Sequence, residues 1–454
     1  MTTMTDDRLP NVLIMTCHDL GRYLGCYGIP TVRTPHLDRL AANGVRFMQH
    51  YCTAPQCSCS RAAMFTGRYP HSTGVLGLTH GHFDWDMDPD ERLIGQVLRE
   101  VGYATFMLGI HHETRQGPAA QVAARCGMDE IVPPANAIVL VDQAIERLQR
   151  FSDGSRPFYM QIGFHEPHRI KATNEPATVM GFVGDEIEAD DALGVHIPPY
   201  LLDDAGTRTE MAELQGAIRA VDTQIGRLLS ALDQFGLAEN TLVIATTDHG
   251  IAMPRAKCTL YDPGIEAALI LRLPSRGWSD GRVIPELTSN IDIFPTLVEL
   301  AGLTVAPHVH GRSLRPLLDG EPSTPREQVF SELTYHDYYD PRRAIRTATH
   351  KLVVNFSTAP SFMDPTQSWQ PRSRPTVPID PASAYHEPVE LYNLTTDPWE
   401  QTNLAHDPTH AATRTDLLTR LATWMRETDD PLLAGPVASP AHRHAARALG
   451  GDEG

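Results

Sequence analysis

Five short apolar runs recur at wide intervals along this chain: VLIMT from Val12, YATFML from Tyr103, PFYMQIGF from Pro157, NTLVIATT from Asn240 and AALILRL from Ala267. Runs of four to eight apolar residues read as strands buried on both faces, the kind found in parallel sheets. Helical patterns lie between them. The clearest spans Thr209 to Phe235, where Met211, Leu214, Ile218, Val221, Ile225, Leu228 and Leu232 fall three and four residues apart and make one apolar face. Strands alternating with helices predict an α/β sandwich around a large, mostly parallel sheet. In such sheets ligands sit beyond the carboxyl ends of the strands. The chemically loaded residues of this chain follow four of the runs: His18-Asp19 the first, His111-His112 the second, His165 to Arg169 the third, and Asp248-His249 the fourth.

The texture changes after Pro325. VFSEL, RAIRTATHKLVVNF and VELYNL are short strand-like runs separated by Pro-rich segments, and residues 358–388 read as a long irregular loop. This predicts a main α/β domain over 1–325, a C-terminal subdomain with a small antiparallel sheet over 326–430, and a loose tail over 431–454. The segment Ile291–Leu303 reads as a helix with Asp292 at its N-cap, Pro295 early and Gly302 near its stop.

Charge narrows the function. The formal net charge is −18, which disfavours nucleic acid and long sulfated polymers as partners. No segment is long enough and apolar enough to span a membrane. The N-terminal stretch is polar, and an odd count of seven scattered cysteines fits reduced thiols. The expectation is a cytoplasmic protein.

The stretch CSCSRAAMFTGRYP, Cys57 to Pro70, is the most specific motif. A nucleophile at a helix start gains from free backbone N–H groups and the positive dipole end. Arg61 lies one turn on, within reach of a group built from Cys57. Two acid–imidazole pairs at strand ends, His18-Asp19 and Asp248-His249, could converge on one cation.

Together these residues closely resemble the type I sulfatases of the alkaline phosphatase superfamily, and the resemblance covers nearly the whole chain. It implies an alkaline-phosphatase-like sandwich and a nucleophile made from Cys57, which a formylglycine-generating enzyme oxidises to formylglycine. A hydrated aldehyde has one hydroxyl to attack sulfur and a second whose deprotonation expels the sulfate. The resemblance also implies one divalent metal, usually calcium, held by Asp19, Asp248 and His249. His18 stands where the family has aspartate. Calcium prefers oxygen ligands, so a second imidazole suits manganese, zinc or iron better. His112 matches the histidine that contacts the nucleophile, His168 the one that protonates the leaving group, and Lys257 the basic residue that binds the sulfate. Ile110 stands at the usual lysine of the G-K-x-H pattern, and Cys59 where the motif has proline.

The string FHEPHR resembles sulfamidases (N-sulfoglucosamine sulfohydrolases) in particular, as do GHFDWDM at 81–87 and the segment Tyr335–Phe356. This makes His111, His165, Arg169 and His336 candidate substrate-binding residues, and the expected substrate a small sulfated or sulfamated molecule. Phosphodiester or phosphonate monoester hydrolysis, and non-catalytic binding by an unmodified Cys57, are the alternatives.

Overall fold

The computed structural model describes residues 8–154, 156–173, 180–358, 372–376 and 385–450. Most of the loop expected over 358–388 lies outside them. Among the described residues, eight strands form one sheet: β1 (Asn11–Cys17), β2 (Val45–Tyr51), β3 (Ala104–Gly109), β4 (Glu130–Val132), β5 (Phe158–Gly163), β6 (Thr241–Thr247), β7 (Leu269–Arg272) and β8 (Arg282–Ser289). Their order is β4-β3-β5-β1-β6-β7-β2-β8. A second sheet, in the order β12-β11-β10-β9, contains β9 (Gln328–Tyr335), β10 (Tyr339–Thr347), β11 (His350–Asn355) and β12 (Val389–Asn393). All of its pairs are antiparallel.

Four of the five apolar runs are parallel strands. The fifth, β7, runs antiparallel to both β6 and β2. No long helix separates β6 from β7, and a chain returning without a helical crossover re-enters the sheet in the opposite sense.

Six helices matter for the site and its frame. They are α1 (Cys57–Thr66), α2 (Ala137–Gln149), α3 (Ala205–Gln234), α4 (Ile293–Leu300), α5 (Ala411–Glu427) and α6 (Pro440–Ala448). α3 is the long helix expected from Thr209. It begins four residues earlier, where the Asp204 side chain accepts from Thr207 N–H at 2.9 Å and caps it. Its apolar face packs with β1 and β5 residues in one core on one side of the sheet, and α1 and α4 share the core on the other. β1, β5 and β6 are therefore covered on both faces, which is why they carry no polar alternation.

α5 packs on the second sheet. Trp424 lies flat on Phe330, 4.7 Å between ring centroids, among Ile345, Leu352, Leu391 and Leu421. The described part of the tail after Asp430 makes a turn at Pro431–Leu433 and then α6, capped by the Ser439 hydroxyl accepting from His442 N–H. Pro440 at the first helical position and Ser439 before it are a helix-start signal within a stretch whose Ala and His content hides it.

Candidate active site

The sheet order β3-β5-β1-β6 sets four chemically loaded loops side by side. Thr16 pairs with Gly163 of β5 and with Thr246 of β6, so the strands end level with one another. Past those ends the chain must turn, and Asp19 does so at φ 54°, a left-handed conformation that aspartate tolerates. Its backbone N–H donates to Asp248 Oδ1 at 3.1 Å, which locks the β1 loop to the β6 loop.

His18, Asp19, Asp248 and His249 are all buried and present ligand atoms within 4.8 Å of one another. His18 Nδ1 lies 2.8 Å from Asp19 Oδ1 and 3.6 Å from Asp248 Oδ2. Burial works against the charged imidazole, but the two carboxylates push its pKa up to about 9. Burial also works against ionised Asp19, yet Lys257 and His18 hold its carboxyl well below the usual range. Asp248 is held low by His18, His249 and Arg61 in the same way. His249 Nδ1 lies 3.0 Å from Gly250 O, and its Nε2 stands 3.2 Å from Asp19 Oδ1 and 3.7 Å from Asp248 Oδ1. Two carboxylates and the imidazole nitrogen that faces them, closed off from water, fit a divalent cation.

Cys57 opens α1 beside this quartet. Gln56 at the N-cap is extended (φ −150°), so the first-turn N–H groups point outward at the nucleophile's position. The thiol stands where the hydroxyls of a formylglycine hydrate would be. It lies with His18 and His112 in one cluster within 4.8 Å. Burial favours the neutral thiol, but His112, with hydrogen bonds from His112, His18 and His249, holds its pKa well below the ordinary value. Ser60 and Arg61 tie the helix to the β6 loop. Ser60 Oγ donates to Asp248 O at 2.5 Å, Arg61 Nε to Asp248 Oδ2 at 3.1 Å, and Arg61 Nη2 has no partner. Cys59 fills the first turn, its sulfur accepting from Gln56 Nε2 at 2.8 Å.

Lys257 is not free in the pocket. Its ammonium bridges both oxygens of Asp19, at 2.8 and 3.0 Å, and lies 3.4 Å from His168 Nε2. His168 Nδ1 lies 2.8 Å from Arg169 O, an acceptor that fixes the proton on Nδ1 and leaves Nε2 facing Lys257. Burial, with Lys257 close by, keeps His168 neutral.

The expected substrate-binding residues divide. His165 lies 5.1 Å from His168 and 6.4 Å from His18, ring to ring, and burial lowers its pKa to about 4. His336 is buried, its Nδ1 3.1 Å from Asp337 Oδ2. His111 has no hydrogen bond on either ring nitrogen, and burial keeps it neutral. Arg169 is held by partners within the protein. It is fully buried, paired to Glu210 at 2.7 and 3.2 Å, bonded to Ala252 O and Met180 O, and stacked on Phe182. These contacts brace α3 against the loop that follows β5.

Three further side chains lie in this neighbourhood. His80 stacks on His112 at 4.8 Å. Asp337 lies against His336, its Oδ2 3.1 Å from the ring Nδ1, and is held low, against partial burial, by His336, Lys257 and His82. Asn290 donates from Nδ2 to Ser60 Oγ at 2.9 Å and accepts from Thr53 N–H at 3.1 Å, which orients the first turn of α1. His80 sits in a visibly His-rich loop; Asn290 gives no local signal.

With that geometry established, comparison with known proteins is specific. The family model described as Sulfatase matches residues 10–303, and the one described as N-sulphoglucosamine sulphohydrolase, C-terminal, matches 254–371. The chain is 27% identical to the human N-sulphoglucosamine sulphohydrolase over 94% of its own length and 92% of that protein's. Its fold is similar to a structure solved in complex with D-glucosamine-2-N,6-O-disulfate (TM-score 0.68, 20% identity, 93% and 99% of the two chains). It is equally similar in fold to a phosphonate monoester hydrolase from Silicibacter pomeroyi (TM-score 0.68, 22% identity, 93% and 96%).

Proposed function

The chain belongs to the formylglycine-dependent sulfatase family, hydrolases of sulfate esters and sulfamates, and from that premise we propose that it removes sulfate from a small sugar-like or aryl molecule, N-sulfated sugars included. The observation that carries this reading is the placement of Cys57: buried at a helix start, within 4.8 Å of His18 and His112, and tied through α1 to the buried carboxylate–imidazole quartet. The N-sulphoglucosamine sulphohydrolase match across 254–371 supports the sugar substrate.

As hydrated formylglycine, Cys57 would supply the two hydroxyls described above, and a divalent cation held by Asp19, Asp248, His249 and His18 would supply positive charge beside them. The rest is done by the chain's own side chains. Arg61, anchored by Nε, presents its unpartnered Nη2 to the transferring group. His112, against the nucleophile and with Nδ1 unpartnered, takes the proton whose loss releases sulfate. His168 and Lys257 form the acid pair: the Lys257 ammonium stays with Asp19, 3.4 Å from His168 Nε2, and His168 takes a proton from solvent and passes it to the leaving oxygen or nitrogen. Lys257 thus serves Asp19 and His168 together, in addition to any contact with sulfate. The mixed nitrogen and oxygen donors favour manganese, zinc or iron over calcium. All seven cysteines are unpaired, which supports a reducing compartment, and no helix among the described residues is long and apolar enough to cross a membrane.

Intact-mass analysis tests the nucleophile: conversion of Cys57 to formylglycine removes sulfur, and an unmodified thiol in active protein rules out this mechanism. Catalytic efficiencies on aryl sulfates, N-sulfoglucosamine and phosphonate monoesters test the substrate class. A clear lead for the phosphonates, to which Ile110 in place of a sulfate-facing lysine lends support, replaces the reading with that activity.

A further inference from the structure

α6 does not lie idle on the surface. Its leading segment is pinned to the end of β9, where Tyr335 Oη donates to Val437 O at 2.6 Å. Val437 N–H donates to Tyr339 Oη at 3.3 Å. The helix itself reaches the 79–88 loop: the Arg443 guanidinium stands 5.5 Å over the Trp85 ring, and His444 Nε2 lies 3.9 Å from Asp84 Oδ2. Trp85 and Tyr335 pack on each other at 5.3 Å, and the indole fills the space beside Gly77, where an added Cβ would stand 2.3 Å from Trp85 Nε1. Beneath the pair, Tyr335 O accepts from Gln56 Nε2 at 2.7 Å, at the N-cap of the nucleophile helix.

The two segments joined in this way are the ones that present pocket side chains. The loop anchored by Trp85 carries His80 and His82, and the strand end anchored by Tyr335 leads directly into His336 and Asp337. Trp85 is itself buried, so it acts through its neighbours and not by touching a ligand. We infer that the tail segment Val437–Ala448 is a clamp that fixes the spacing of these two pocket walls, with Arg443, Trp85 and Tyr335 as positioning residues for the part of the substrate beyond its sulfate. The inference rests on the sulfatase reading for its kinetic consequence and on geometry alone for its structural one. Two segments distant in sequence have no covalent reason to stay in register, and a cation over an indole face joined to a phenol–carbonyl bond supplies one.

The test uses the full chain, an Arg443→Ala variant, an Arg443→Lys variant, and a chain ending at Ser439. Substrates are 4-nitrophenyl sulfate, which has little beyond its sulfate, and N-sulfoglucosamine. Arg443→Ala and the shortened chain should raise KM for the sugar by about fivefold or more with kcat within about twofold, and leave KM for the aryl ester within about twofold. Arg443→Lys, which keeps the cation, should recover most of the loss. Hydrogen exchange of residues 79–88 and 335–339 should accelerate about tenfold in Arg443→Ala. Arg443 is exposed, so that variant stays informative if the shortened chain fails to fold. Unchanged exchange, or equal KM changes for both substrates, overturns the clamp. A wild-type chain that turns over neither substrate overturns the sulfatase reading, and the exchange comparison still decides the clamp.

Discussion

Lys257 holds the carboxylate that the proposed metal site also uses. Asp19 is buried, and its charge is compensated in the structure by the Lys257 ammonium on both of its oxygens. Removing one partner of a buried pair leaves an uncompensated charge and costs about 3–5 kcal/mol. Lys257→Met should therefore lower the melting temperature markedly in chelator, and a divalent ion should restore much of it by taking over the compensation. A melting temperature that ignores metal in the variant would reject the quartet as a binding site. The acid pair makes a second prediction. His168→Ala should slow hydrolysis of alkyl sulfates by about 10²–10⁴-fold and of nitrophenyl sulfate far less, because a nitrophenolate leaves without a proton. Equal losses on both ester types would remove His168 from the acid role. The two side chains are also separable by stability: Lys257→Met is expected to perturb the fold, whereas the His168 ring has 21% of its side-chain surface exposed and its loss should be tolerated.

At the scale of elements, the site depends on how closely the ends of β3 and β5 approach. Gly163 closes β5, and a Cβ there would stand 2.0 Å from Ile110 O and 3.0 Å from Arg61 Nη1. Gly163→Ala should destabilise by about 2–3 kcal/mol through overpacking, and shift Arg61 enough to lower kcat by about tenfold; thermal unfolding and steady-state kinetics on the same preparation check both. This glycine lies inside an apolar run, so the strand was legible from the sequence, but the reason for glycine was not, because the atoms it must avoid come from β3 and α1. The same distinction runs through the molecule. Runs buried on both faces announced β1, β3, β5 and β6, and the residues just past them were legible as candidates because strand ends converge in a parallel sheet. β2, VRFMQHY, mixes polar and apolar residues and was not singled out, since its burial comes from neighbours on either side. The direction of β7 depends on the connection that precedes it. The pairing of Arg169 with Glu210, 41 residues away on α3, gave no local signal.

For the whole molecule, charge favours small substrates. The chain carries −18 formal charges, and in the pocket the cationic groups Arg61, Lys257 and His18 are balanced by Asp19 and Asp248. A small sulfate ester meets those cationic groups at contact distance, where the distant surface charges are largely screened. A sulfated chain of many sugars must also lay its remaining charges along the acidic surface. The screening length falls from about 30 Å at 0.01 M salt to about 10 Å at 0.1 M, so the long-range repulsion should weaken over that interval while the short-range attraction changes less. The expected outcome is that kcat/KM on a sulfated polymer, low at first, rises by about three- to tenfold between those salt concentrations. On nitrophenyl sulfate it should stay within about twofold. The measurement is a pair of salt titrations with one enzyme preparation. A polymer rate that falls with salt would mean that a basic track on the surface guides the chain inward, and the preference for small substrates argued from charge would fail with it.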